Sequence, residues 1–207
     1  EGQIAFDTLS SLNFNAALLR LDNTGEVLWV NDIAGQGSEE IRGVGLHEDG
    51  RVFITGLYTN GVEMGGTPLQ SKGVYDVMTA AYGANGDHLW SNGFGGESIS
   101  QALGLHVHGD GVYVTGRFKE DLNLGVELLS SPGNYDAFVT VFNAVDGGPA
   151  WAKAIGGPGD EQANGVAVGG DGGIYVVGHT DGDIPYAGQS VPEAGAKIDG
   201  FVLRLAP

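Results

Sequence analysis

The chain has 207 residues, no cysteine, and 26 acidic against 9 basic side chains, a formal charge of −17. That balance opposes a phosphate backbone and an anionic lipid surface, and the lack of cysteine excludes a disulfide framework and a thiolate metal site. No apolar run approaches the ~20 residues of a membrane-spanning helix, and the 38 glycines lack the Gly-X-Y period of collagen and fit tight turns between short strands.

Residues 1–13 read as a partial unit, because Ile4-Ala-Phe6-Asp-Thr-Leu9-Ser-Ser is similar to Leu124-Gly-Val126-Glu-Leu-Leu129-Ser-Ser further along. The first full unit, 14–74, opens with the apolar strand Ala16 to Leu21, closed by the turn signal Asn23-Thr-Gly25. Val27 to Val30 is the return strand of that hairpin. Ile41 to His47 is a third strand, Glu48-Asp49-Gly50 a second hairpin turn, and Arg51 to Thr55 a fourth strand ending at Gly56. The roughly twenty residues that follow are long enough to hold a strand-like piece of their own. Units 75–134 and 135–197 repeat this order, and 198–207 is a further copy of the opening strand. No segment keeps a period near 3.6 over three turns, so no long helix is expected.

The register is set by several anchors. Trp29, Trp90 and Trp151 recur every 61 residues at the return strand, as do Gly35, Gly96 and Gly157 after it. Asn15, Asp76, Asp136 and Asp199 each stand one residue before an opening strand. The opening strands are largely apolar on both faces, as strands packed on both sides are. Such a unit cannot bury both faces alone and must stack on its neighbours. The expected fold is all-β: three four-stranded antiparallel blade-like repeats, one sheet per unit, in a β-propeller or an open blade stack with partial units at both ends, the whole of 1–207 forming one domain.

These phrases resemble the β-propeller repeat of large secreted and cell-surface bacterial proteins, often described as a seven-bladed propeller repeat. The resemblance rests on the openings Asp136-Ala-Phe138-Val139 and Asp199-Gly-Phe201-Val202, the Gly…Trp hairpin, Gly156-Gly-Pro-Gly-Asp160-Glu161, and Val112 to Gly116. It covers nearly the whole chain, with Asn15 a departure where the other units have Asp. It implies a β fold, an exported bacterial protein and a repeat used as scaffold or binding surface. It brings no catalytic residues.

Closed propellers have roughly 4–8 blades, more than three full units supply. A larger propeller, a ring closed by two chains and head-to-tail addition of blades all remain open. Exposed edge strands invite pairing, so Ile4 and Phe6 at one end and Phe201, Leu203 and Leu205 at the other are candidate assembly residues, pairing within one chain or between chains.

Side chains with chemistry are sparse. His106 and His108 alternate on a strand and share a face, but a metal site needs a third ligand; packing between units is the alternative. Asp181 with Asp183, and Asp121 with Asn123, place oxygen side chains two residues apart, a spacing that can share Ca²⁺ or simply form Asx turns. No cofactor is expected apart from calcium at these oxygens. Glu39-Glu40 and Asp160-Glu161 recur in repeat register, which fits a structural role at a blade edge better than a glycosidase pair. No nucleophile elbow, P-loop or dinucleotide fingerprint occurs. The tryptophans could face a glycan; their strict recurrence favours packing between blades. The expectation is a non-enzymatic structural or scaffold protein, extracellular or on the cell surface, self-associating through its terminal strands as a fibre or surface-layer subunit. The alternative is a lectin-like or adhesive module with a glycan or cell-surface partner. Nucleic acid and membrane insertion are not expected.

Overall fold

The computed structural model describes residues 14–132, 134–186, 189–191 and 198–205. Ile4 and Phe6 lie outside the described residues. Among those described there is no helix.

Turn chemistry makes the hairpins. β1 (Ala16–Leu21) returns as β2 (Val27–Gly35) through a turn in which Asp22 Oδ1 accepts the amides of Thr24 and Glu26 and Gly25 takes φ +89°. β3 (Glu39–Leu46) and β4 (Val52–Tyr58) form the second hairpin. The long connection folds into a small hairpin of its own, β5 (Gly61–Glu63) with β6 (Leu69–Gln70). The cycle repeats as β7 (Asp76–Tyr82), β8 (His88–Phe94), β9 (Ser100–His108), β10 (Gly111–Phe118), β11 (Asp121–Asn123) and β12 (Leu128–Ser130). It repeats again as β13 (Asp136–Asn143), β14 (Pro149–Ile155), β15 (Glu161–Val168), β16 (Ile174–Thr180), β17 (Ile184–Tyr186) and β18 (Gln189–Val191), before β19 (Asp199–Leu205).

The blade-like sheets are antiparallel and offset from the sequence units by half a repeat. One has the order β3-β4-β7-β8, the next β9-β10-β13-β14, and the last β15-β16-β19. A sheet made of the two long hairpins of one unit, the arrangement expected, does not form: β1–β2 adds only the short β5–β6 hairpin of its own unit, and the sheets β3-β4-β7-β8 and β9-β10-β13-β14 each join the second hairpin of one unit to the first hairpin of the next. Local turn signals fix pairing inside a hairpin but not which free edge the hairpin fills. Packing decides that: Ile41 of β3 packs in the same core as Trp29 and Ile33 of β2, across a layer rather than beside them. β1 and β2 form the first sheet, with β5 and β6 added on the β2 edge. Among the described residues the sheets do not close: β19 pairs with β16 and β1 with β2.

Gly56, Gly116 and Gly178 do not end the fourth strands as expected. They sit inside β4, β10 and β16, beside a break in register on the partner strand. A Cβ there would run into the carbonyl oxygens of Glu40, Gln101 and Gln162 respectively, so only glycine fits against the bulge.

Three core layers separate the four sheets. Leu18 and Ile33 pack against Ile54, Met78 and Tyr82; Phe53, Val77 and Trp90 against Val112, Phe138 and Phe142; Val139 and Ile155 against Ile174, Val176 and Phe201. The opening strands in the middle are buried as expected, β7 along its whole length and β13 along all but Asn143.

The repeated tryptophan is a clasp between sheets. Trp29 Nε1 donates to the Ala84 carbonyl at 3.0 Å and Trp90 Nε1 to the Ala144 carbonyl at 3.3 Å, each acceptor lying in the next sheet's outer turn. Two residues on, the side-chain amides of Asn31 and Asn92 donate to the carbonyls of Gly86 and Gly147 at 2.8 and 3.0 Å. Those glycines have φ +86° and +72°, and a Cβ on them would stand 2.9 and 2.7 Å from the indole of Trp29 and Trp90. Trp90→Ala removes a buried ring and this bond, and should cost about 3–5 kcal/mol, read as a lower urea midpoint. An unchanged midpoint would count against the clasp.

Candidate functional site

Each passage from one sheet to the next begins with the same backbone bond. The amides of Glu39, Ser100 and Glu161, which start the inner strands β3, β9 and β15, donate to the carbonyls of Phe14, Tyr75 and Tyr135 at 2.7, 2.8 and 2.8 Å. The neighbouring residues, Asn15, Asp76 and Asp136, precede or begin the opening strands. The junctions therefore pair Asn15 with Glu39, Asp76 with Ser100, and Asp136 with Glu161. All but Asn15 are buried.

Asp76 is held by the amides of Lys72 and Gly73 at 2.7 and 3.2 Å, and Asp136 by the Ser131 hydroxyl at 2.7 Å. Glu161 accepts the Gly157 amide at 2.8 Å, and the Thr180 hydroxyl lies 2.9 Å from its other oxygen. Burial holds all three carboxyls above their ordinary range. For Glu161 the nearby charges of Asp136 and Asp181 add to the rise. Glu39 is the extreme case. Its two oxygens are buried and neither closes a hydrogen bond among the described residues. Burial pushes it up to about 7, and the nearby amides of Gly35 and Gly37 draw it back only in part.

The acidic pairs read from the sequence thus divide into one residue inside and one outside. Glu40 bonds Arg42 at the surface. Asp160 accepts the Tyr135 amide at 3.2 Å and the Asn134 side chain at 3.1 Å. The doubtful calcium ligands are spread over two hairpin regions. Asp121 accepts the Ser130 hydroxyl at 2.6 Å and Asn123 the Gly125 amide at 2.9 Å, both on or beside the β11–β12 hairpin. Asp181 accepts the Asp160 amide at 2.5 Å, and Asp183 stands just before β17. The rings of His106 and His108 stack at 6.5 Å. No group of three or more His, Asp or Glu side chains gathers as a metal site among the described residues.

What the sequence did not reveal is where the apolar faces stay open. Leu105 and Val107 of β9 are half-buried, packed on β3 at Gly43 and Gly45. Their counterparts 61 residues earlier, Val44 and Leu46, are 59% and 70% exposed. With Leu19, Leu21 and Trp29 they line a groove of about 600 Å³ between β1–β2 and β3–β4. At the other end, Val202 of β19 is 69% exposed, whereas the equivalent Thr79 and Val139 are fully buried. Phe201, Leu203 and Leu205, the expected assembly residues of that strand, are instead buried in the last core layer. The alternation of β19 puts them inward and Val202 outward, a one-residue choice of face that the bare strand sequence leaves open.

Residues 150–185, from β14 through β17, match a family model described as a beta-propeller repeat. That stretch is a β-propeller repeat. The matched stretch holds the Trp151 strand, the junction at Glu161 and the inner hairpin, all of which the earlier units share. The chain is also similar to the regulatory protein FlaEY of Caulobacter vibrioides, 28% identical over 156 residues. That alignment spans 71% of this chain and 16% of the length of FlaEY.

Because Glu39 titrates near 7 when folded and at its ordinary 4.5 when unfolded, the folded state holds more protons between these values. Its contribution is fully present below about 4.5 and is lost as pH rises through about 7. Asp76, Asp136 and Glu161 act in the same direction. The melting temperature should therefore fall from pH 5 to pH 8, and Glu39→Gln should lessen that fall and melt higher than the native chain at pH 8. A variant with the native slope would remove Glu39 as the cause.

Proposed function

We propose that this propeller-repeat chain is a non-enzymatic scaffold, extracellular or on the cell surface, that associates with itself through the open faces of its terminal sheets. One observation carries the reading: among the described residues, apolar positions whose counterparts in neighbouring units are covered by an adjacent sheet are left bare at Val44 and Leu46 and again at Val202. Exposed apolar patches of this kind mark interaction surfaces. The arrangement of carboxylates supports a structural role. They lie one junction at a time in repeat register instead of converging on a single cleft. The charge of −17 keeps the remaining surface hydrated and limits indiscriminate contact.

A lectin-like or adhesive role is the alternative, and the groove beside Trp29 favours it, since a half-buried indole on an apolar floor can stack on a sugar ring. The regulatory role in the printed name of FlaEY is compatible with either, through partners bound on blade surfaces. Light scattering on the purified chain separates the two. A mass well above 21.3 kDa is expected, with rings or filaments in negative stain. A single-chain mass combined with retention on a glycan array would replace the scaffold reading with the lectin one.

A further inference from the structure

We infer that two copies of this chain join head to tail, with Val44 and Leu46 of one seated on Gly165 and Ala167 of the other. This rests on the self-association reading and gives it a specific contact.

The template lies within the chain. On β3, a Cβ built at Gly45 would press on the Leu105 side chain and stand 3.8 Å from the Val107 Cβ, so glycine forms a hole for knobs from the next inner strand. Moving the knobs one repeat back and the holes two repeats forward gives the free surfaces. Val44 and Leu46 correspond to Leu105 and Val107 and are exposed knobs. Gly165 and Ala167 correspond to Gly43 and Gly45. Around a Cβ at Gly165, among the described residues, only Val177, of the same sheet, lies within 4 Å. The hole is formed, and no described residue of a following sheet fills it.

The strands complement one another in the same way. Among the described residues the last sheet has β15, β16 and β19 but no partner for β19 like the one β8 gives β7 and β14 gives β13. β2 is a strand of that kind. β1 and β19 are nearly the same sequence, Leu18-Leu-Arg-Leu21 against Val202-Leu-Arg-Leu205, whereas the two internal opening strands carry Ala81 and Val141 in place of the arginine. β19 of one copy can therefore replace β1 beside β2 of the other, completing the sheet β15-β16-β19-β2. Arg204 then falls where Arg20 bonds the Ala84 carbonyl; in the single chain it bonds Asp171 at the surface instead, at 3.0 Å. Exchange of equivalent elements is a low-cost route to association, and a head-to-tail contact yields rings or filaments.

The chain has no cysteine, so new ones report cleanly. The internal pair at 45 and 107 shows that positions 167 and 46 would meet at a Cβ separation suited to a disulfide. Leu46→Cys and Ala167→Cys chains are oxidised separately and mixed, with light scattering on the same samples. A linked dimer in the mixture and in neither chain alone is expected. Linkage of Leu46→Cys to itself means a symmetric contact and overturns the inference. An assembled sample without linkage overturns this contact and leaves the scaffold reading standing; a single-chain mass without linkage overturns both. Leu46→Glu, on an exposed position, should keep the native melting temperature and drop to a single-chain mass, and assembly that survives it overturns the inference.

Discussion

No sheet of this chain can bury both of its faces, and the rest of the structure depends on that. β7 and β13 are apolar on both sides and are buried only because a sheet lies in front and another behind. The stack is held at its outer rim by the indole clasps and at its inner end by the amides of Glu39, Ser100 and Glu161. A repeat of this kind takes its stability from neighbour interfaces more than from any one unit. The half-repeat offset of the sheets works to the same end. Every blade-like sheet contains two sequence units, so covalent continuity and sheet pairing both tie each unit to the next.

The junction carboxylates show the tension in this design. A buried carboxylate is costly unless it is bonded or neutral. Where Asp76 is present its partner position is Ser100, and where Glu39 is present its partner is Asn15. Only the last junction has two, Asp136 and Glu161, and there amide and hydroxyl donors take up their oxygens. The pattern reads as avoidance of like charges across a short gap, relaxed where enough donors are present.

Much of this was legible in the residues. The 61-residue period, the hairpin turns and the two-sided burial of the opening strands follow from Trp, Gly and apolar spacing. The tryptophan's role between blades follows from its recurrence, although its acceptor does not. The sheet boundaries were hidden, because turn signals such as Asn85-Gly86 report on hairpins, and the pairing of β4 with β7 spans a seventeen-residue gap with no local mark. The bulge at Gly56 was mistaken for a strand end for a related reason. Glycine marks both a stop and a close backbone approach, and only the partner strand tells them apart. The inner positions of Glu39 and Glu161 were hidden too, since the sequence shows two adjacent acids and not which one points inward.

Departures from the repeat locate what the repeat itself cannot. Asn31 and Asn92 hold the next turn, and the third unit has Lys153 in that place, so the asparagine bond is not repeated there. Arginine appears in the opening strand only at Arg20 and Arg204. A side chain that serves every interface recurs in every unit, and one that departs from the repeat marks a local difference. Arg20 bonds the Ala84 carbonyl and Arg204 bonds Asp171, whereas Ala81 and Val141 at the same place are buried in the core.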